Sequence, residues 1–99
     1  MRLALVVVAL AFIAGCGPIQ STASLIDADV EVEAARAAGA ATSSAYEFTA
    51  AEAYLHKARE VAGRAQYEAS AEFAAKARDL AKEARKNASA ATNKSGESM

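Results

Sequence analysis

Apolar residues are arranged along this chain on two scales, first as a block and then as a helical period. After Met1 and Arg2 the positions from Leu3 to Ile13 are unbroken apolar, and Gly15, Gly17 and Pro18 then end the run. A bilayer span takes about 20 such residues, so this block is too short to be one. From Ser24, a candidate N-cap, to about Ala41, the residues Ile26, Val30, Ala34, Ala37, Ala38 and Ala41 recur at helical spacing and predict a first helix that buries them. Ala28 to Glu33 also alternates strictly between apolar and acidic residues, the period of a strand. A lone strand would find no ladder partner in so Ala-rich a chain, and acids near a helix N-terminus suit its dipole, so helix is the preferred reading.

Thr42, Ser43 and Ser44 interrupt the pattern, and Ser44 with Glu47 spells a capping box that starts a second helix. Tyr46, Phe48, Ala50, Ala51, Tyr54, Leu55, Ala58, Val61 and Ala62 cover an arc of about 200° on it. A face that wide has room for two neighbours, which predicts that this helix lies between the other two. A third helix, from about Ala65 to Ala88, gathers Ala69, Phe73, Ala74, Ala77, Leu80, Ala81 and Ala84 on one side and its charges on the other. No capping residue follows Gly63, and a single rod through that glycine would cost only about 1 kcal/mol. A hairpin is still favoured, because it buries two apolar faces that a rod leaves wet. The expected fold is therefore all-α, a small Ala-rich bundle of three helices made from a helical hairpin plus an N-terminal helix. Residues 24–88 form the domain, and the small, polar, aperiodic tail 89–99 is expected to be disordered.

Hydrophobic residues make up 54% of the 99, but roughly thirty are Ala, which buries little apolar area. A thin core without a disulfide predicts modest stability and a place for a partner or a second copy to complete it. The balance of 11 Lys and Arg against 12 Asp and Glu argues against nucleic acid as a ligand.

The apolar block ends in Ile13-Ala14-Gly15-Cys16, which resembles the lipobox of bacterial lipoproteins: a branched aliphatic, two small residues and the cysteine that is modified. With Arg2 as a basic n-region, residues 1–15 read as a cleaved signal peptide. Small side chains at Ala14 and Gly15 let the backbone enter a peptidase cleft, and a thiol is nucleophilic enough to take a diacylglyceryl group. Cleavage between Gly15 and Cys16 would leave acylated Cys16 as the N-terminus, anchored in the lipid bilayer, followed by a short polar linker in 16–23. Gly17 stands where enterobacterial sorting would place Asp for inner-membrane retention, so the outer membrane, facing the periplasm, is the expected location.

Tyr46-Glu47, Ala53-Tyr54-Leu55 with Lys57-Ala58-Arg59-Glu60, Tyr67-Glu68, and Phe73-Ala74 with Lys76-Ala77-Arg78 and Leu80-Ala81 resemble the domain-of-unknown-function family number 4398. That family occurs in small lipoproteins of Gram-negative bacteria, sometimes beside OmpA-like peptidoglycan-binding domains. The resemblance implies an envelope location, a helical architecture and an envelope protein, OmpA-like among others, as partner. Tyr67, Ser70, Lys76 and Ala77 are also weakly similar to a tetratricopeptide hairpin, of which only one unit would fit.

Catalysis has little to work with, since His56 is the one histidine and has no second His or free thiol beside it. No enzyme activity, cofactor or metal is expected. Tyr46, Tyr54, Tyr67 and Phe73 are candidate docking aromatics, with bundle-sealing as the plainer role. The basic stretch Lys76 to Lys86 is interrupted by Asp79 and Glu83 and reads as a solvated face. These readings converge on a non-enzymatic structural or interaction module of the envelope. Alternatives are a peptidoglycan tether like murein lipoprotein, which the ending Lys94 to Met99 disfavours, and an assembly factor or pilotin for a secretion or outer-membrane component.

Overall fold

The computed structural model describes the backbone of residues 1–97 and the side chains of 1–7 and 19–93. It is all-helical, with α1 (Arg2–Ala37), α2 (Ala40–Ser43), α3 (Ala45–Gly63) and α4 (Tyr67–Glu97) in chain order. The chain runs up α1, turns over through α2, returns down α3 and rises again in α4. The three long helices thus form two successive hairpins with α1 and α4 parallel.

A seven-residue repeat runs through all three. On α1 the inward positions are Ser21, Leu25, Ala28, Val32 and Ala35; on α3 they are Ser44, Phe48, Ala51, Leu55 and Ala58; on α4 they are Ser70, Ala74, Ala77, Ala81, Ala84 and Ala88. Alternating steps of four and three residues are the spacing that lets helices stay in contact along their length. The α4 series is small at every position and fully or almost fully buried. With no bulky side chain to hold a neighbour away, α4 takes the central place and packs along both α1 and α3, which touch each other less. This corrects the expectation that the Tyr46-bearing helix is central: its arc is wide, but α4's stripe admits two neighbours closely.

α1 differs most from its expected form. Ile26 and Val30, expected inside, are 58% and 59% exposed, while Ala28, Val32 and Ala35 are buried. The helix carries two apolar stripes on opposite sides, and the buried one is that with Ser21, Ala28 and Ala35. With the observed stripe inward, Asp29 reaches Arg59 of α3 at 2.7 Å and Glu31 reaches Arg85 of α4 at 3.4 Å. The residues expected as a linker also belong to α1, which passes through Gly15, Gly17 and Pro18, and Ser21 is buried. Packing from Ser21 onward holds this stretch helical despite Pro18, whose helix-interior cost is about 3 kcal/mol. The tail is likewise helical as far as Glu97, because extending a formed helix costs little once its nucleus exists and no proline intervenes.

The breaks are set by left-handed residues. α1 ends at Ala37 rather than Ala41 because Gly39 adopts φ +84°, with its amide donating to the Arg36 carbonyl. The hairpin at Gly63 is formed by Ala65, at φ 60°, and not by the glycine. Ala65 N–H donates to Ala62 O at 3.0 Å and Gln66 N–H to Val61 O at 3.0 Å, the paired bonds of a Schellman ending. An L-residue there costs about 1–2 kcal/mol. Ala65→Gly should therefore stabilise the bundle by about 1 kcal/mol, read as a rise of about 4–8 °C in Tm. Gly63→Ala, whose new Cβ meets nothing within 4 Å, should add about 0.5–1 kcal/mol. A fall in Tm for Ala65→Gly would show that the turn is not built this way.

Candidate functional site

The α4 stripe is interrupted by polar groups at its two ends. At the lower end Ser21 Oγ donates to Ser70 Oγ at 3.0 Å, and Ser70 Oγ donates to the Ala58 carbonyl at 2.9 Å. Three helices are joined by two buried hydrogen bonds, which fixes their register, since a slip on any helix would strand a hydroxyl away from water. At the upper end Asn87 Nδ2 donates to Ser44 Oγ at 3.2 Å, and Ser44 Oγ donates to Glu47 Oε2 at 2.7 Å. Ser44 is the N-cap of α3 as expected, but its hydroxyl serves the Glu47 carboxylate rather than a backbone amide, and its own amide donates to the Ala40 carbonyl, so neither bond of the expected capping box forms.

The Ser44 hydroxyl, followed by Glu47's own backbone amide, holds the Glu47 carboxyl below its ordinary pKa. A carboxyl whose folded pKa is depressed contributes stability above the unfolded-chain value and loses that contribution as pH falls through the folded value. The urea-midpoint difference between the wild type and Glu47→Gln should thus be small at about pH 7 and shrink as pH falls through the folded value. A difference that grows on acidification would contradict this arrangement.

Between α1 and α3 lies a shallow charged cleft. Arg36 hydrogen-bonds Glu33 on its own helix and Glu52 on α3 at 3.1 Å, and these partners, Glu33 foremost, hold its guanidinium above its ordinary pKa. His56, exposed, lines this cleft with Asp29 and Arg59. Its neighbours are committed to ion pairs across the two helices. Among the described residues no group of three or more His, Cys, Asp or Glu converges as a metal ion would require.

The four aromatics expected to dock a partner are divided by the fold. Tyr54 and Phe73 meet across the α3–α4 seam with ring centroids 6.1 Å apart and planes 25° from parallel, and Lys76 Nζ lies 5.6 Å from the Tyr54 ring. Both are half-buried and seal the seam. Tyr67 lines a separate groove between α1 and α4 with Gln20, Ser24 and Ala71. Tyr46 stands alone at the upper end of α3, 80% exposed. Gly15 and Cys16 lie outside the residues whose side chains are described.

A second surface feature escaped the sequence reading. Ile19, Ala23, Ile26 and Val30 form an outward apolar stripe on α1, diametrically opposite its buried one. The repeat was visible in the spacing, but a helix with two apolar stripes gives no indication from periodicity alone of which one is inside.

No protein-family model, curated protein or solved structure matches the chain.

Proposed function

We propose that the chain is the precursor of a lipid-anchored, periplasm-facing envelope protein whose helical bundle acts as a structural or protein-interaction module without catalysis. The observation that carries this reading is the succession of Arg2, the apolar block Leu3 to Ile13 and Ile13-Ala14-Gly15-Cys16, each with the residue types that export, cleavage and acylation require. The architecture supports it. The helices pack into a bundle starting at Ser21, five residues after Cys16, and among the described residues no helix is long and apolar enough to cross a membrane. A bundle of this kind needs a separate device to stay at a bilayer, and acylation at Cys16 supplies one. Its long, ion-paired helix faces and the divided aromatics favour contact with another protein over binding of a small molecule. Gly17 after Cys16, where Asp would signal inner-membrane retention, favours the outer membrane.

Globomycin, which blocks lipoprotein signal peptidase, tests the reading in a Gram-negative host. Treated cells should accumulate the full 99-residue precursor, and untreated cells should carry the shortened form in the outer-membrane fraction. A chain released unmodified into the periplasm with or without the drug would rule the proposal out.

A further inference from the structure

The height of Cys16 relative to the bundle can be read from the buried serine layer. Ser21 hydrogen-bonds Ser70, and Ser70 hydrogen-bonds the Ala58 carbonyl, so these three residues lie at one level. α1 enters that level from below, and Cys16 precedes Ser21 by five residues. α3 leaves it downward, and Gly63 follows Ala58 by five residues. At 1.5 Å of rise per residue both lie about 7.5 Å beneath the serine layer. Even a fully extended chain from Cys16 to Ser21 would reach only about 17 Å.

We infer that the turn Gly63–Tyr67, together with Ile19, rests on the surface of the bilayer that holds Cys16, so that the bundle stands upright with α2 pointing away from the lipid. The inference depends on the acylation of Cys16 proposed above. The end so placed has suitable chemistry: Ile19 is 72% exposed, Arg64 is exposed at the turn and paired with Glu60 at 3.0 Å, and Tyr67 is half-buried. Apolar, aromatic and cationic groups of this kind partition at the level of lipid headgroups. The outward stripe from Ile19 to Val30 does not favour the bundle lying flat. Asp27 is exposed at its edge and Glu68 beside the turn, and what separates the two postures is that the turn lies level with Cys16. Nor does the stripe suit a second copy: its four side chains are few beside the roughly 20–30 residues a side of a standard interface. The upright bundle leaves α2 about 28 Å above the turn, the length of α3's 19 residues.

Labelling can test this on the lipidated chain, because Cys16 is the only cysteine and its sulfur is consumed by the acyl group. Single variants Gln66→Cys, Val30→Cys and Thr42→Cys, all at exposed positions, would each carry one fluorophore. The chains are reconstituted into phosphatidylethanolamine–phosphatidylglycerol vesicles containing headgroup nitroxide lipid. Quenching should be several-fold stronger at 66 than at 42, with 30 between them. Equal quenching at all three would mean a bundle lying on its side, and no quenching at 66 in chains that float with the vesicles would mean a bundle held off the surface. Self-quenching at 30 with none by lipid at 66 would mean that a second copy covers the stripe. Each of these overturns the inference. A chain that does not float fails the anchoring reading itself, and the orientation falls with it.

Discussion

Ala77→Leu should destabilise the bundle by about 3 kcal/mol, the upper range for adding methylenes to a filled core. Ala77 is fully buried in the middle of the α4 stripe, with Ala74 and Ala81, also at 0% exposure, a turn away on either side. Both α1 and α3 approach α4 along this stripe, so a larger side chain must push one of them away and break its contacts over several turns. Leu and Ala have nearly equal helix propensity, so the loss would come from packing and not from α4 as an isolated helix. A domain this small has about 3–5 kcal/mol to spare, so the variant should be left only marginally folded, with about 0–2 kcal/mol. Ala90→Leu, on the exposed continuation of the same helix, is the control and should be nearly neutral. Urea titrations followed by circular dichroism would separate the two. An Ala77→Leu bundle as stable as wild type would mean that α4 is not the closely packed central helix.

Cys16→Ser should abolish acyl labelling and outer-membrane delivery together. A serine hydroxyl is far less nucleophilic than a thiolate and cannot form the thioether. At about 0.8 kcal/mol per buried methylene, two acyl chains provide far more attachment than any surface contact of the bundle. The variant should remain at precursor length, without incorporated palmitate, and be absent from the outer-membrane fraction. Correct delivery of the variant would remove the thiol from the account.

Much of the fold was legible in the sequence, and the misreadings share a cause. Helical periodicity located the second and third helices well because each has one apolar face and a charged back. It could not orient α1, whose Ile26 and Ala28 belong to opposite stripes; the choice depended on packing against α3 and α4, helices distant in sequence. The ends were misread for local reasons. Gly39 was passed over as a C-cap in favour of the polar run at Thr42, and Ala65 occupies a left-handed position that is ordinarily glycine's. The stretch 17–23 looked like a linker because its residues are small and polar, yet Ser21 is buried against Ser70, a partner 49 residues away. The lipobox reading rests on four adjacent residues and no tertiary contact, so it stands as a proposal beside the fold. Tyr54, Tyr67 and Phe73 were legible as half-buried residues, exposed Tyr46 was not, and the four were not legible as a group because their grouping depended on which helix became central.

The intact mass of the protein purified from membranes tests the account most directly. A chain that lacks its first fifteen residues and carries two or three fatty acyl chains on an N-terminal Cys16 is the predicted result. A species that begins at Met1 in untreated cells, or one with a free thiol at residue 16, would contradict it.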